Sequence, residues 1–474
     1  VQPLLERYIA RLIEELAKGG YSGDVLVMNG NGGMVSSRLV AKEAAKTVMS
    51  GPASGVMAAA YTGRRAGMEN LLTYDMGGTS TDVALIRGAE PPVSNEIELE
   101  YAMPIHVPMV DVRTVGAGGG SIARVTAAGL LEVGPHSAGS TPGPICYGRG
   151  GVEPTISDAN LLLGRLDPGK LKSVEGGVSV ENVASIYLEK LGKPLGLDAV
   201  GAAEAVVRVA NIKMAGAIRM VSVSLGADPR DFALFAFGGA GPLHASALAR
   251  ELGVPRVLVP ARPGITNALG CIVADLRHDF VRTINTPLDT LDMGHLAEVL
   301  HGQAKAGKAL IEAENVDMFS MQQSYVLDMQ FVGQTHLLRV AIDGPDITRE
   351  ALRAKFDEVY FRRFKVRLDN VRALVVNANC SVVGTRAALD LSRLIDPAGR
   401  KASLAEAETG RRAVYFDGAW HETPIYWRDH LPEGFRLTGP AIVEQMDTTV
   451  LIEPGDLATG DADGNIIITL GVRP

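Results

Sequence analysis

Tyr74-Asp-Met-Gly-Gly-Thr-Ser-Thr-Asp-Val-Ala-Leu-Ile86 is the stretch on which the reading of this chain turns. Leu71–Asp75 predicts a short buried strand that ends on a carboxylate. Asp82–Ile86 predicts a second strand leaving a tight turn. Glycine has no Cβ, so the backbone N–H groups of Gly77 and Gly78 can face a phosphate at close range. Thr79, Ser80 and Thr81 offer hydroxyl donors around the same turn. Asp75, at the strand end, is placed to hold Mg²⁺ through water, because magnesium keeps much of its hydration shell and takes few protein ligands. Asp82 is a second carboxylate at the turn, with capping of the turn as its alternative role. A plain hairpin also uses Gly-Gly, but it has no need of three hydroxyls between two acids.

Outward from this hairpin, other strand–glycine junctions follow. Phe232–Phe237 predicts a buried strand, then Gly238-Gly-Ala-Gly241 opens a helix running to Leu252. Such a junction lets a nucleobase or phosphate approach the backbone at Gly238, Gly239 and Gly241. Gly116-Ala-Gly-Gly-Gly-Ser121 follows a predicted strand over Val107–Val115 but lacks the acidic ribose partner of a dinucleotide fold. Asn29–Gly33 and Ser50–Gly55 are further glycine turns. Gly164–Lys170 has phosphate-loop spacing, yet Leu171 stands where a metal-binding hydroxyl belongs. Helices are expected over Leu4–Lys18, Gly51–Gly67, Val180–Leu191, Val200–Leu225, His295–Ala313 and Thr348–Phe364. Period-2 runs at Tyr325–Ala341 and Arg372–Thr385 predict strands.

Composition narrows the function classes. The 474 residues are long enough for two to four domains. Lys+Arg 46 against Asp+Glu 54 leaves a net charge of −8, which argues against a nucleic-acid surface. No apolar run approaches the about 18–20 residues of a membrane span. Three cysteines, Cys146, Cys271 and Cys380, show no CxxC spacing, so a reducing cytoplasm is the expected setting. The nine histidines form no metal-binding pair, and no GxSxG elbow supports serine-hydrolase chemistry. The texture changes after about residue 285, where glycine thins out. This predicts a domain over 1–285 and another over 286–474.

Asp75–Asp82 resembles the second phosphate loop of the actin/sugar-kinase/heat-shock ATPase superfamily, and Phe237–Gly241 resembles its adenosine loop, in the same order. More narrowly, Ser50–Gly55, Thr114–Ala123, Ser137–Pro154, Thr155–Pro168, Phe235–Leu243, Pro263–Gly270 and Gly439–Gln445 resemble segments of the hydantoinase A/5-oxoprolinase family. The resemblance runs along nearly the whole chain, and the 137–168 block is the most specific part. It implies an α/β, actin/sugar-kinase-like (ribonuclease H-like) ATPase domain, partial, followed by a smaller strand-rich α+β domain. It implies ATP and Mg²⁺ as cofactors and phosphorylation of a cyclic amide, as in N-methylhydantoinase-type subunits. A hydantoinase B-type partner would complete ring hydrolysis in a hetero-oligomer. His106 and Asp111 are the substrate-facing candidates.

One departure qualifies the resemblance. Family members carry an earlier Asp-x-Gly-Gly-Thr-like loop, and nothing before Leu26 fits it. The chain also opens Val1-Gln2-Pro3 directly into a helix. The expectation is a carboxy-terminal two thirds, with the first phosphate loop in the same or another chain. Two other readings share these motifs: the ATP subunit of a ketone carboxylase, and a non-catalytic fragment.

Overall fold

The computed structural model describes residues 2–40, 43–94, 97–99, 103–105, 107–170, 179–314 and 316–472. Its contacts fall into two compact units that interleave along the chain. One comprises Val1–Ser50, Asn95–Met109 and Val273–Leu389; the other Gly51–Ser94, Val110–Ile272 and Asp390–Pro474. The expected boundary at 286 falls inside a strand, Leu276–Pro287.

The unit holding Asp75 is built on an eight-stranded mixed sheet. Its order is Arg436–Thr438, Leu457–Gly460, Ile466–Thr469, Arg256–Val259, Ala233–Phe237, Leu71–Met76, Thr81–Ile86 and Val112–Val115. Ala233–Phe237 lies parallel to both Leu71–Met76 and Arg256–Val259. These central strands are buried along almost their whole length, which is why they read as continuous apolar runs. Parallel neighbours end on the same edge, so the turn after Met76 and the turn after Phe237 emerge side by side. Open α/β sheets bind ligands at that edge.

Helices cover the sheet. Ala199–Ser224 begins at Asp198, whose carboxylate accepts from the Gly201 N–H at 2.7 Å. Its Ala202, Val206, Ala210, Met214 and Ile218 recur at helical spacing and are buried. Ser50–Arg65 and Gly241–Leu252 complete the cover. A second, four-stranded sheet joins Glu408–Phe416, Ala419–Trp427, Ala441–Glu444 and Thr449–Ile452.

The other unit carries a six-stranded sheet in the order Leu26–Met28, Met34–Ser36, Leu276–Pro287, Ala373–Thr385, Ser320–Phe331 and Leu338–Ile342. Helices Met293–Ala313 and Arg349–Phe364 pack on it. The expected strand over Tyr325–Ala341 is two strands joined by a turn at Val332–Gly333. No described helix is long and apolar enough to cross a membrane.

Candidate nucleotide site

The hairpin forms as its sequence implies. Leu71–Met76 pairs antiparallel with Thr81–Ile86, setting Asp75 opposite Asp82 and Met76 opposite Thr81. Directly opposed residues share a face of the sheet. Asp75 and Asp82 therefore lie on one face, and Met76 and Thr81 on the other. The turn closes through Gly77 N–H donating to Ser80 O at 3.0 Å.

The two glycines of this turn are not there for the protein's own packing. Neither takes a left-handed φ. A Cβ built on Gly78 meets nothing within 4 Å, and one on Gly77 meets only Ser80 O at 3.8 Å. The space beside both is open, and any side chain would fill it. That is room for a phosphate beside the turn; Gly77 N–H is spent on Ser80 O, so the N–H groups that follow it, from Gly78 on, are the ones left for such a ligand. Thr79 is exposed and Ser80 half-buried, so both hydroxyls can reach a ligand. Thr81 differs from its expected role. It is fully buried and donates its hydroxyl to Ala117 O at 2.5 Å, so it anchors the turn from behind.

The Gly116–Ser121 turn finds its purpose here. Gly119 N–H donates to Gly77 O at 3.0 Å and Gly120 N–H to Gly78 O at 2.6 Å. A Cβ on Gly118 would stand 2.7 Å from the backbone of Gly78 and Thr79. Glycine at 118 is thus required for backbone to lie on backbone, and the Gly77–Gly78 turn rests on a second turn.

The loop after Phe237 closes against the same strand end. Gly238 N–H donates to Pro263 O, and Ala240 N–H to Met76 O, both at 3.0 Å. Gly238 has φ +79°, and a Cβ there would lie 2.3 Å from Asp75 Oδ1. Asp75 therefore sits between the two loops. Burial pushes its carboxyl up to about 6; an N–H donated by Asn267 Nδ2 at 3.1 Å opposes this, and the facing Asp82 adds to it. Asp82 is raised too, by burial, against the hydroxyl that Thr114 donates at 2.6 Å.

Several participants escape a reading of isolated motifs. Asn267 steers Asp75, and Gly55 leaves room for it, since a Cβ on Gly55 would stand 2.4 Å from Asn267 Oδ1. Thr448 donates its hydroxyl to Gly239 O at 2.9 Å, and Asp447 Oδ2 accepts from Gly264 N–H at 3.0 Å. A loop some two hundred residues downstream thus clasps the Gly238–Gly241 junction. The blocks 263–270 and 439–445 were the available signals. Asp111 does not join the site. It precedes the strand Val112–Val115, whose Val115 pairs with Thr81, so it lies at the end away from the turn. His106 lies outside the described residues. Among the described residues, no three His, Cys, Asp or Glu side chains converge as metal ligands, leaving Asp75 and Asp82 as the carboxylates at the turn.

ATP and Mg²⁺ are thus compatible with what this edge presents: an open glycine cradle, a half-buried carboxylate beside it, and a second glycine loop at a helix start.

The model of the Hydantoinase/oxoprolinase family matches residues 1–280, and that of its C-terminal domain matches 303–468. The chain belongs to the hydantoinase/oxoprolinase family. This member is 33% identical to the caprolactamase alpha subunit of Pseudomonas jessenii, over 99% of this chain and 68% of that one. The crystal structure of the ATP-dependent caprolactamase from P. jessenii superposes with a TM-score of 0.85 at 32% identity, covering 100% of this chain and 69% of that one. Nucleotide-free acetone carboxylase superposes at 0.76 with 26% identity, covering 98% and 67%. The fold of this hydantoinase/oxoprolinase member is accordingly the actin-like ATPase type with a strand-rich C-terminal part.

Proposed function

We propose that this chain is the ATP-binding subunit of an ATP-dependent cyclic amidohydrolase, of the hydantoinase, 5-oxoprolinase or lactamase type. The observation that carries the reading is the empty space beside Gly77 and Gly78, which nothing in the protein's own packing requires, next to Asp75. Bound ATP would supply a phosphoryl group to the amide oxygen, turning a resonance-stabilised amide into a carbon that water can attack. Phosphoryl transfer depends chiefly on positioning and charge neutralisation, and those are the tasks these residues can perform. Gly78, Thr79 and Ser80 hold phosphate oxygens, and Gly77, whose N–H closes the turn, leaves room for them. Asp75 would orient magnesium-bound water when the ion is bound, with Asp82 as its neighbour. Gly238, Gly239 and Gly241 receive the adenosine. Thr81 supports the turn from the core side.

Similarity to the caprolactamase alpha subunit supports the amide class and a partner subunit, which we take to be of the hydantoinase B type. The likeness to acetone carboxylase keeps a ketone carboxylase as the second reading. Assaying the complete enzyme decides between them. ATP-dependent ring opening of a lactam or hydantoin is expected, and ATP-dependent bicarbonate fixation onto a ketone would replace this reading with the second.

A further inference from the structure

A cavity of about 750 Å³ lies away from both glycine loops, walled by Leu197, Val207 and Phe416. Its size falls within the range of small-molecule sites. Its polar lining is unusual. Arg165 is only 8% exposed, yet no carboxylate lies within ion-pair distance of its guanidinium among the described residues. Its Nε has no hydrogen-bond partner, and Nη1 makes one long bond to Asn160 Oδ1 at 3.4 Å. Burial penalises its charge, and the carboxylates of Glu453, Glu204 and Asp417 offset that only in part, from beyond ion-pair distance.

The polar chain behind Arg165 is directional. Asn160 Nδ2 donates to His244 Nε2 at 3.1 Å, and His244 Nδ1–H donates to Asn211 Oδ1 at 2.8 Å. Burial, and then the nearby Arg165, push His244 down to about 3, which keeps it neutral, and the Asn160 amide donating to Nε2 leaves the proton on Nδ1. With its oxygen engaged, Asn211 has its Nδ2–H donors left for the cavity it lines. One turn and two turns back on the same helix face, Arg208 and Glu204 also line the cavity, with no ion pair between them or to any described residue. Arg250, by contrast, is consumed internally by Glu453 and Asp456.

The lining therefore presents the guanidiniums of Arg165 and Arg208, an amide donor, the carboxylate of Glu204 with those of Glu251, Asp417 and Glu453 further round the wall, and an apolar side. We propose that this cavity is a binding site for a small amino carboxylate, with Arg165 and Asn211 taking the carboxylate, Glu204 the ammonium, and Phe416 and Val207 the chain between. Hydrolysis of a lactam converts one amide bond into one amine and one carboxylate, so the ring-opened product is of this class; that link rests on the function proposed above, whereas the chemistry of the cavity does not.

The test is calorimetric titration of this chain, without ATP, using 5-aminopentanoate, pentanoate and pentylamine. The amino carboxylate should bind at least about tenfold more tightly than either single-ended analogue, on the scale of one charge-assisted contact. Arg165→Met should weaken 5-aminopentanoate and pentanoate at least tenfold. Glu204→Gln should weaken 5-aminopentanoate and leave pentanoate unchanged. In the absence of ligand, Arg165→Met should melt no lower than the parent, because the burial of its charge outweighs the attraction of Glu453, Glu204 and Asp417. If it fails to fold, the Glu204→Gln arm still decides. Absence of saturable binding by all three compounds, or affinities indifferent to both substitutions, overturns the proposal. Since no ATP is present, failure here leaves the nucleotide reading untouched.

Discussion

Asp75→Asn should separate stability from activity, because the same carboxylate is costly to the fold and necessary to the site. In the folded protein its affinity for a proton rises from the ordinary 3.8 to about 6. At about 1.4 kcal/mol per factor of ten, the charged form costs the fold about 3 kcal/mol. Partial exposure at the mouth of the site screens some of this, leaving about 1–3 kcal/mol. The sign follows from proton binding. Between pH 3.8 and 6 the native state holds more protons than the unfolded one, so the stability associated with this group is present below 3.8 and is lost as pH rises through 6. An amide has no charge to desolvate, and its oxygen can still accept from Asn267 Nδ2. At pH 8, Asp75→Asn should therefore melt higher by several degrees, at about 2–4 °C per kcal/mol, and the gap should close as the pH falls towards 4. ATP-dependent turnover of the complete enzyme should fall by at least about 100-fold. Thermal melts at pH 5 and pH 8 beside a turnover assay check both halves. A variant that melts lower than the parent at pH 8, or that keeps more than a tenth of the turnover, refutes the reasoning.

The two glycine loops should respond differently to a single methyl. Gly78→Ala meets no atom, so its melting temperature should stay within about 2 °C of the parent while ATP affinity drops at least tenfold by calorimetry. Gly238→Ala must adopt φ +79° and crowd Asp75; about 1–3 kcal/mol of stability should be lost, visible in chemical denaturation. Thr448→Val removes the hydroxyl clasp on Gly239; we expect KM for ATP to rise several-fold with a stability change of about 1 kcal/mol. Asp158→Ala should be among the most damaging changes in the 137–168 block. The buried carboxylate accepts from Cys146 N–H at 2.7 Å, Thr155 N–H at 2.9 Å and Thr155 Oγ1 at 2.7 Å, and orphaning those donors should cost several kcal/mol, read as loss of soluble folded protein.

Much of this site could be read from local sequence because its parts are local. Strand, glycine turn and strand occupy Leu71–Ile86 without a break, and strand, glycine turn and helix occupy Ala233–Leu252. Burial on both faces writes itself into such segments as unbroken apolar runs. Thr81 departs from the other two hydroxyls because the turn ends before it: it is the first residue of the strand, opposite Met76, and shares that residue's core-facing side. Asn267 and Thr448 carry no periodic signal, being single polar residues in loops, and they touch residues 192 and 209 positions away. The interleaving of the two units left no composition shift at residues 50, 95, 110 or 390. A chain crossing between units keeps the same strand and helix chemistry on either side of the crossing.

The strand Ile466–Thr469 pairs with Arg256–Val259, next to the strand that launches the Gly238 loop, and Thr448 holds that loop from above. The two strands belong to a sheet whose earliest strand begins with Leu71. On a ribosome moving at about 5–20 residues per second, roughly 20–80 s separate synthesis of the first of these strands from the last. For the last half of that interval, about 10–40 s, the edge of Arg256–Val259 lacks its neighbour, a row of free backbone donors and acceptors open to wrong partners. If this edge is the nucleotide site proposed above, the nascent chain would hold ATP poorly until the Thr448 loop has emerged, and it is in this window that chaperones would have the most to do.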